Sequence, residues 1–400
     1  MIKAHHRHLK ELWSQRDGCS LFRATMSLER FEQLKAALRF DDPLRRDREE
    51  RIAAIRSVVD TFNDKMLETY TPGTYLTIDE MLVEFHGRVG FKQFIPTKPG
   101  KFGIKVFWVV DAENTIPLKC IVFTGSQTLP ESERDKPFSY AITKELMKPF
   151  AGKGRNVTAD NYFCTSLIAN DLLFDNTTIV GTIRKNRKEI PSAAKDIRDR
   201  VRGDSRHYYS SDLTLCSFWD KSNSPVLLIS TLHGYQHNTI SRDSGKPDIV
   251  RFYNETKSGV DNLDKLVRGY SSKRKSRRWP VHLFFTLVDC AVLVALRMMQ
   301  HQAGSLECHS DFKKELAYEL CLPLIIHRSS LPGLRQTVKD AMSAVGVTII
   351  RPDTRRSVPS CKGRCKMCPR SRDRKTKTKC FICGMFLCAD HVKNVCDECS

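Results

Sequence analysis

Asp261 and Asp264 stand three residues apart in the run Asn-Glu-Thr-Lys-Ser-Gly-Val-Asp-Asn-Leu-Asp, and Leu263, Leu266, Val267 and Tyr270 recur beside them at helical spacing. A helix there projects both carboxylates from one face, where a cation can be held. Two further acids sit in contexts that could join them. Asp79 follows Tyr-Leu-Thr-Ile in a strand pattern, and Asp160 closes the strand-like Asn-Val-Thr-Ala-Asp. A charge inside an apolar strand is costly unless it is paired or bound to metal. Two Mg²⁺ or Mn²⁺ ions about 3.5–4 Å apart, held by Asp79, Asp160, Asp261 and Asp264, would activate a water or a 3′-hydroxyl and stabilise the leaving oxygen of an in-line displacement at phosphorus. That is nuclease or strand-transfer chemistry. Aspartates also serve as turn and cap residues, and spacing alone does not join these segments.

Basic residues accompany the acids. Arg268, Lys273, Arg274, Lys275, Arg277 and Arg278 follow Asp264 directly; Arg88, Lys92, Lys98, Lys101 and Lys105 follow Asp79; Arg370, Arg372, Arg374, Lys375, Lys377 and Lys379 lie near the C-terminus. Such runs contact phosphates, direct a chain to the nucleus, or form a solvated face. The candidate DNA contacts are Arg274, Lys275, Arg277, Arg278, Lys98, Lys101, Arg372, Arg374 and Lys375. Trp279 either fills core or stacks on a distorted DNA end. A formal charge of +20 over 400 residues points the same way. Nucleic acid or an anionic surface is the expected partner on this ground, with DNA favoured by the basic run beside the acids and the nucleus the expected location.

The second chemical signal is a cysteine series. Cys365-x2-Cys368, Cys380-x2-Cys383, Cys388-x2-His391 and Cys396-x2-Cys399 supply eight ligands for two tetrahedral Zn²⁺ ions. The short gap between Cys383 and Cys388 favours an interleaved cross-brace. Cys365, Cys368, Cys388 and His391 then share one ion, and Cys380, Cys383, Cys396 and Cys399 the other. Cys361 is left over. Cross-braces also occur in ubiquitin ligases and histone readers, but there the histidine is the fourth or fifth ligand, whereas His391 is the sixth. A protein-binding role stays open beside DNA binding.

These groups need elements to position them. Residues 1–72 show helical periodicity, with Ser27 as a cap, and Thr71-Pro72-Gly73 ends it. Strands are expected at 75–79, 81–85, 103–111, 118–124, 156–160 and 177–184, and helices at 142–150, 165–174 and from 261 onward. Residues 206–232 alternate in strand fashion around a turn at 222–225, as a β-rich insertion within an α/β core. Residues 281–299 form an apolar run long enough to span a membrane, but His282, Asp289 and Arg297 make a buried helix the better reading. No membrane association is expected, and the polar start of the chain does not suggest a secretory signal.

With these motifs in hand, the segments Thr-Ile-Asp-Glu-Met-Leu-Val-Glu-Phe-His-Gly-Arg, Pro-Thr-Lys-Pro-Gly-Lys-Phe-Gly-Ile-Lys, Thr-Ala-Asp-Asn-Tyr-Phe-Cys-Thr-Ser, Val-Gly-Thr-Ile-Arg-Lys-Asn-Arg and Tyr-Asn-Glu-Thr-Lys-Ser-Gly-Val-Asp-Asn-Leu-Asp resemble, in order, those of the piggyBac family of transposases. The resemblance implies an RNase H-like core with a β-rich insertion, Asp79, Asp160 and Asp261 as a catalytic triad, and Asp264 as a further acid. It implies cut-and-paste transposition through a hairpin intermediate at TTAA targets, by a homodimer. The implied division is 1–72, a helical dimerisation or DNA-binding remnant; 73–175 and 259–350, the two parts of the core; 176–258, the insertion with an adjoining core strand; 351–360, a linker; and 361–400, the zinc domain. The competing expectation is a domesticated or truncated, non-catalytic chromosomal DNA-binding protein.

Overall fold

The computed structural model describes residues 7–220, 224–235, 245–304, 308–349, 362–380 and 383–391. The expected linker 351–360, Cys361, Cys396, Cys399 and residues 222–223 of the expected turn lie outside them. The chain opens with helices α1 (Leu9–Leu12), α2 (Ser20–Thr25), α3 (Leu28–Ala37) and α4 (Arg56–Thr69). Ser27 caps α3, its side chain accepting from the Arg30 N–H at 3.2 Å. Val59, Phe62 and Met66 form the buried stripe of α4.

Four strands follow: β1 (Tyr75–Glu84), β2 (Gln93–Phe94), β3 (Phe102–Asp111) and β4 (Ile116–Val122). The two short strands expected at 75–79 and 81–85 are one. Asp79 and Glu80 stay in register, opposite Trp108 and Phe107 of β3, so nothing interrupts the ladder. Helix α5 (Phe138–Met147) leads to β5 (Asn156–Ala159), and α6 (Ser166–Phe174) to β6 (Thr178–Thr182). Strand β3 is antiparallel to both of its partners β4 and β1, while β1, β5 and β6 are parallel. That is an RNase H-like core.

After the short α7 (Ser192–Lys195) come β7 (Ser205–Ser210), β8 (Leu213–Phe218) and β9 (Val226–Ser230). Strand β9 pairs antiparallel with β6, β8 with β9 and β7 with β8, so the insertion extends the core sheet. The path among the described residues runs β2-β3-β1-β5-β6-β9-β8-β7, with β4 also on β3. Helix α8 (Asp248–Thr256) was not expected within 176–258. Its Ile249, Val250, Phe252 and Tyr253 pack with Val180, Cys216 and Leu228, a helical stripe on the extended sheet.

Helix α9 (Gly259–Gly269) precedes the long α10 (Trp279–Ala303). Although α10 is long and apolar enough to cross a membrane, Leu283, Leu287, Cys290, Leu293 and Val294 belong to the main core. Each fully buried aliphatic side chain there contributes about 1.5–3 kcal/mol. Its Asp289, charged in an apolar run, is paired at 2.7 Å with Lys313 of α11 (His309–Ser329). It also accepts from Ser271 Oγ and the Ser272 N–H, at 3.1 and 2.9 Å. This buried carboxylate is fully engaged.

Residues 1–19 and 26–320 form one compact unit, and 20–25 with 321–400 a second. The division departs from the expected boundaries at 72 and 351. In the second unit, Ala24 of α2 is buried with Ile325, and with Ala341 and Met342 of α12 (Gln336–Ala344). Arg328 closes this small core by donating to the carbonyls of Arg23, at 3.2 Å, and Ala24. Helix periodicity in 1–72 showed that α2 has an apolar face but not which partner covers it. Strands β10 (Gly363–Arg364) and β11 (Lys375–Thr376) form a hairpin in the cysteine-rich segment.

Candidate active site and metal centre

Strand β1 is buried on both sides of its midpoint, at residues 76–78 and 81–83, and between its two ends it opens only at Asp79 and Glu80. The last registered pair between β1 and parallel β5 is Ile78 with Ala159. One step further, Asp79 and Asp160 are neighbours across the sheet. A tight turn holds Asp160: its Oδ1 accepts the Tyr162 N–H at 2.9 Å, and its carbonyl accepts from Phe163 and Cys164 at 3.2 and 3.1 Å. On β6, a Cβ at Gly181 would stand 2.5 Å from the Ala159 carbonyl and 2.7 Å from Cys164 Sγ. Glycine is what lets this turn pack on β6.

Asp261 arrives from the first turn of α9. Thr77 Oγ1 donates to the Thr256 carbonyl at 2.6 Å, and the Thr158 and Thr256 hydroxyls meet at 2.7 Å. These bonds fix the α8–α9 corner over β1 and β5. Gly259 permits the approach, since a Cβ there would lie 3.0 Å from Thr77 Oγ1.

Burial, then the neighbouring Glu80 charge, pushes the Asp79 carboxyl up to about 7; Asp160 adds to this, while the Glu80 N–H and Lys98 oppose it. Burial also raises the Asp160 pKa. Lys98 lies at the tip of the β2–β3 turn, its Nζ 3.3 Å from Asp261 Oδ1 and donating to the Glu80 carbonyl at 3.1 Å. Asp264 is held elsewhere. Arg268, one turn along α9, bonds it at 2.8 Å and donates to the Leu82 carbonyl at 3.3 Å. The two α9 acids thus have separate partners, Asp261 meeting Lys98 and Asp264 meeting Arg268. Carboxylate oxygens are the donors that a hard divalent cation such as Mg²⁺ or Mn²⁺ takes.

The basic candidates divide. Lys275 and Arg277 are exposed, as are Lys101, Arg372 and Lys375. Arg278, by contrast, donates to the carbonyls of Ala36, at 3.2 Å, and Leu38, finishing α3. Trp279 is partly buried in the core and meets Phe91 edge-on at 5.2 Å. Arg374 pairs with Asp390. Arg278 and Trp279, both named as DNA contacts, thus have structural partners here.

Among the described residues, Cys365, Cys368, Cys388 and His391 are the one group of potential metal ligands whose donor atoms all lie within 4.8 Å of one another. Cys368 Sγ is 3.6 Å from both Cys388 Sγ and His391 Nδ1. A tetrahedral zinc with Zn–S bonds of about 2.3 Å sets its sulfurs about 3.8 Å apart, so the set is built to zinc's dimensions. The first and third pairs come together, as an interleaved order requires. Cys380, whose N–H donates to the Met385 carbonyl at 2.8 Å, stands with Cys383 on a separate turn; the expected partners of that pair, Cys396 and Cys399, lie outside the described residues.

Several residues at the acidic site went unnoticed in sequence. Glu80 adjoins Asp79, yet strand alternation suggested the opposite face. Arg268 was named only as part of the basic run, although its place four residues after Asp264 is a spacing that signals an ion pair on a helix. No local signal marks Thr77, Thr158 and Thr256.

A core with this strand order and acids gathered at β1, β5 and α9 has relatives. The family profile described as Transposase IS4 matches residues 1–295. The cryo-EM structure of the piggyBac transposase synaptic complex with hairpin DNA superposes with a TM-score of 0.81 at 31% identity, covering 100% of this chain and 85% of that one. The chain belongs to the piggyBac family of transposases. The human PiggyBac transposable element-derived protein 3 is 25% identical over 300 residues, 69% of this chain and 49% of that protein. The human PiggyBac transposable element-derived protein 2 is 22% identical over 384 residues, 88% of this chain and 62% of its own length. This chain thus spans about half to three-fifths of the human relatives.

Proposed function

We propose that the protein is a DNA transposase whose Asp79, Asp160 and Asp261 hold two divalent ions for strand cleavage and transfer at transposon ends. The juxtaposition of Asp79 and Asp160 one residue beyond the Ile78–Ala159 pair, with Asp261 brought over them by the threonine-pinned corner, carries the reading. Asp264, held by Arg268, supports α9 as a further acid of the site. Bound magnesium would supply an acidified nucleophile and charge neutralisation at phosphorus. Asp79, protonated in part at neutral pH, gives up its proton as positive charge arrives. The reaction expected is a nick by water, attack of the freed 3′-hydroxyl on the opposite strand to form a hairpin, hairpin opening, and joining at TTAA. Exposed Lys275, Arg277 and Lys101 provide phosphate contacts.

The Cys365, Cys368, Cys388 and His391 cluster holds one Zn²⁺, and Cys380, Cys383, Cys396 and Cys399 hold a second, in a module that binds transposon ends through Arg372 and Lys375. A homodimer working in the nucleus completes the proposal. The purified protein with Mg²⁺ or Mn²⁺ should nick a cognate end, and Asp79→Ala, Asp160→Ala and Asp261→Ala should each abolish nicking while salt-sensitive binding persists. The ion pairs already on Asp261 and Asp264 favour a second reading, a non-catalytic DNA-binding descendant. Binding without nicking by the unaltered protein would select it.

A further inference from the structure

Lys98 is placed unlike the other basic residues of the surface. It sits between Pro96 and Pro99 in a turn closed by backbone bonds from Ile95 to Lys101, at 2.8 Å, from Lys98 to Ile95, at 3.2 Å, and from Lys101 to Lys98, at 3.0 Å. The pairing of Gln93 with Gly103 and Phe94 with Phe102 anchors that turn to the sheet. Its side chain is only 17% exposed although it is a lysine at a hairpin tip. The ammonium is directed inward, with Asp261 Oδ1 at 3.3 Å and the Glu80 carbonyl at 3.1 Å. One cation from one hairpin therefore links the Asp261 carboxylate of α9 to the Glu80 carbonyl of β1.

We infer that Lys98 is an internal counter-cation, tying Asp261 to the β1 backbone beside Asp79 before metal loads and competing with the divalent ion for the Asp261 carboxylate. The inference rests on the proposed metal-binding role of these aspartates. An ammonium supplies one charge and three donors at a fixed reach, whereas Mg²⁺ supplies two charges at about 2.0–2.1 Å from oxygen. Loading must then turn the Lys98 side chain out of the acids, into the region where a DNA phosphate would be met. Lys98 is accordingly a positioning residue, coupling the filling of the site to the appearance of a new surface cation. Asp264 and Glu80 have cations of their own, Arg268 of α9 at 2.8 Å and Lys105 of β3 at 3.3 Å.

The test is a titration of magnesium chloride into the zinc-loaded full chain without DNA, following the thermal midpoint. Lys98→Met, which keeps the aliphatic stem, should reach half of its magnesium-induced rise at a concentration roughly fivefold lower than the unaltered chain, the loss of about one partly buried ion pair as competitor. Lys98→Gln should do the same, and Lys98→Arg, keeping the charge, should stay within about twofold of the unaltered chain. Asp79→Asn should lose the rise. A normal magnesium response with an unchanged or higher half-point in both Lys98→Met and Lys98→Gln overturns the inference and leaves the metal reading standing. An unaltered chain whose midpoint ignores magnesium, or an Asp79→Asn chain that responds in full, overturns both.

Discussion

Asp79 is a carboxyl whose pKa lies near 7 in the folded chain against 3.8 ordinarily, chiefly because it is buried. Between those values the folded state binds the proton that the unfolded chain has lost, so stability falls as pH rises through that window and stays reduced above it. Asp79→Asn removes the dependence. In metal-free buffer the variant should melt above the unaltered chain at pH 8, with the gap closing toward pH 4, as thermal denaturation across that range would register. Equal melting at pH 8 would contradict the burial argument. Asp79 and Asp160 could be picked out in sequence because a charge ending an apolar strand is conspicuous, and Asp261 because it opens a helical run. Lys98 could not. Its partner is 163 residues away, and only the hairpin and the α8–α9 corner together bring them into contact. The Arg268–Asp264 pair was written at four-residue spacing and obscured by the longer basic run that follows.

Elements place these groups through close approaches that tolerate little added volume. Gly181→Ala must displace either the Ala159 carbonyl or the Cys164 side chain, and should cost about 1–3 kcal/mol by urea unfolding, the usual penalty of overpacking. Thr256→Val leaves the buried Thr158 hydroxyl without that partner, at about 1–3 kcal/mol. It should also reduce any nicking activity, since the α8–α9 corner loses a fixing point. An unfolding midpoint unchanged by Thr256→Val would show the corner to be held by packing alone. Periodicity revealed most strands of the core and the burial of α10, because apolar spacing of 2 or 3.6 residues is local information. It did not reveal α8, whose apolar stripe falls in a segment dominated by strand alternation, nor that Leu21 and Ala24 serve a different core from the rest of the N-terminal helices. Which surface covers an apolar face is decided by distant chain.

Across the whole molecule, a formal charge of +20 is concentrated by residues such as Lys275, Arg277, Arg372 and Lys375 that have no buried use. The double substitution Lys275→Ala/Arg277→Ala should weaken DNA binding and reduce the slope of log affinity against log salt by about 2, whereas Arg278→Ala should act mainly on stability through α3. A salt slope identical to that of the unaltered chain would remove the pair from the DNA interface. In the cysteine-rich segment, Cys388→Ser should lower bound zinc by one equivalent per chain, measured with a chromophoric chelator after unfolding. Retention of both equivalents would show that Cys388 is dispensable. The ligand spacing was fully written in sequence, and pairs one and three do meet; the assignment of strongly basic residues was less legible, because Arg278 and Arg374 look like DNA contacts until a carbonyl pair and Asp390 are found beside them.

The continuation of β6 into β9, β8 and β7 has a consequence for how the molecule opens. An insertion folded as a separate lobe could exchange its amide protons independently, in a partial unfolding that spares the core. Here the β9 amides share a ladder with β6, which shares one with β5, so freeing the insertion bares the edge of β6, the strand next to β5 and Asp160. Hydrogen exchange in β8 and β9 should accordingly be as slow as in β5 and β6 and respond to denaturant with a similar slope, making the insertion and the acidic site one cooperative unit.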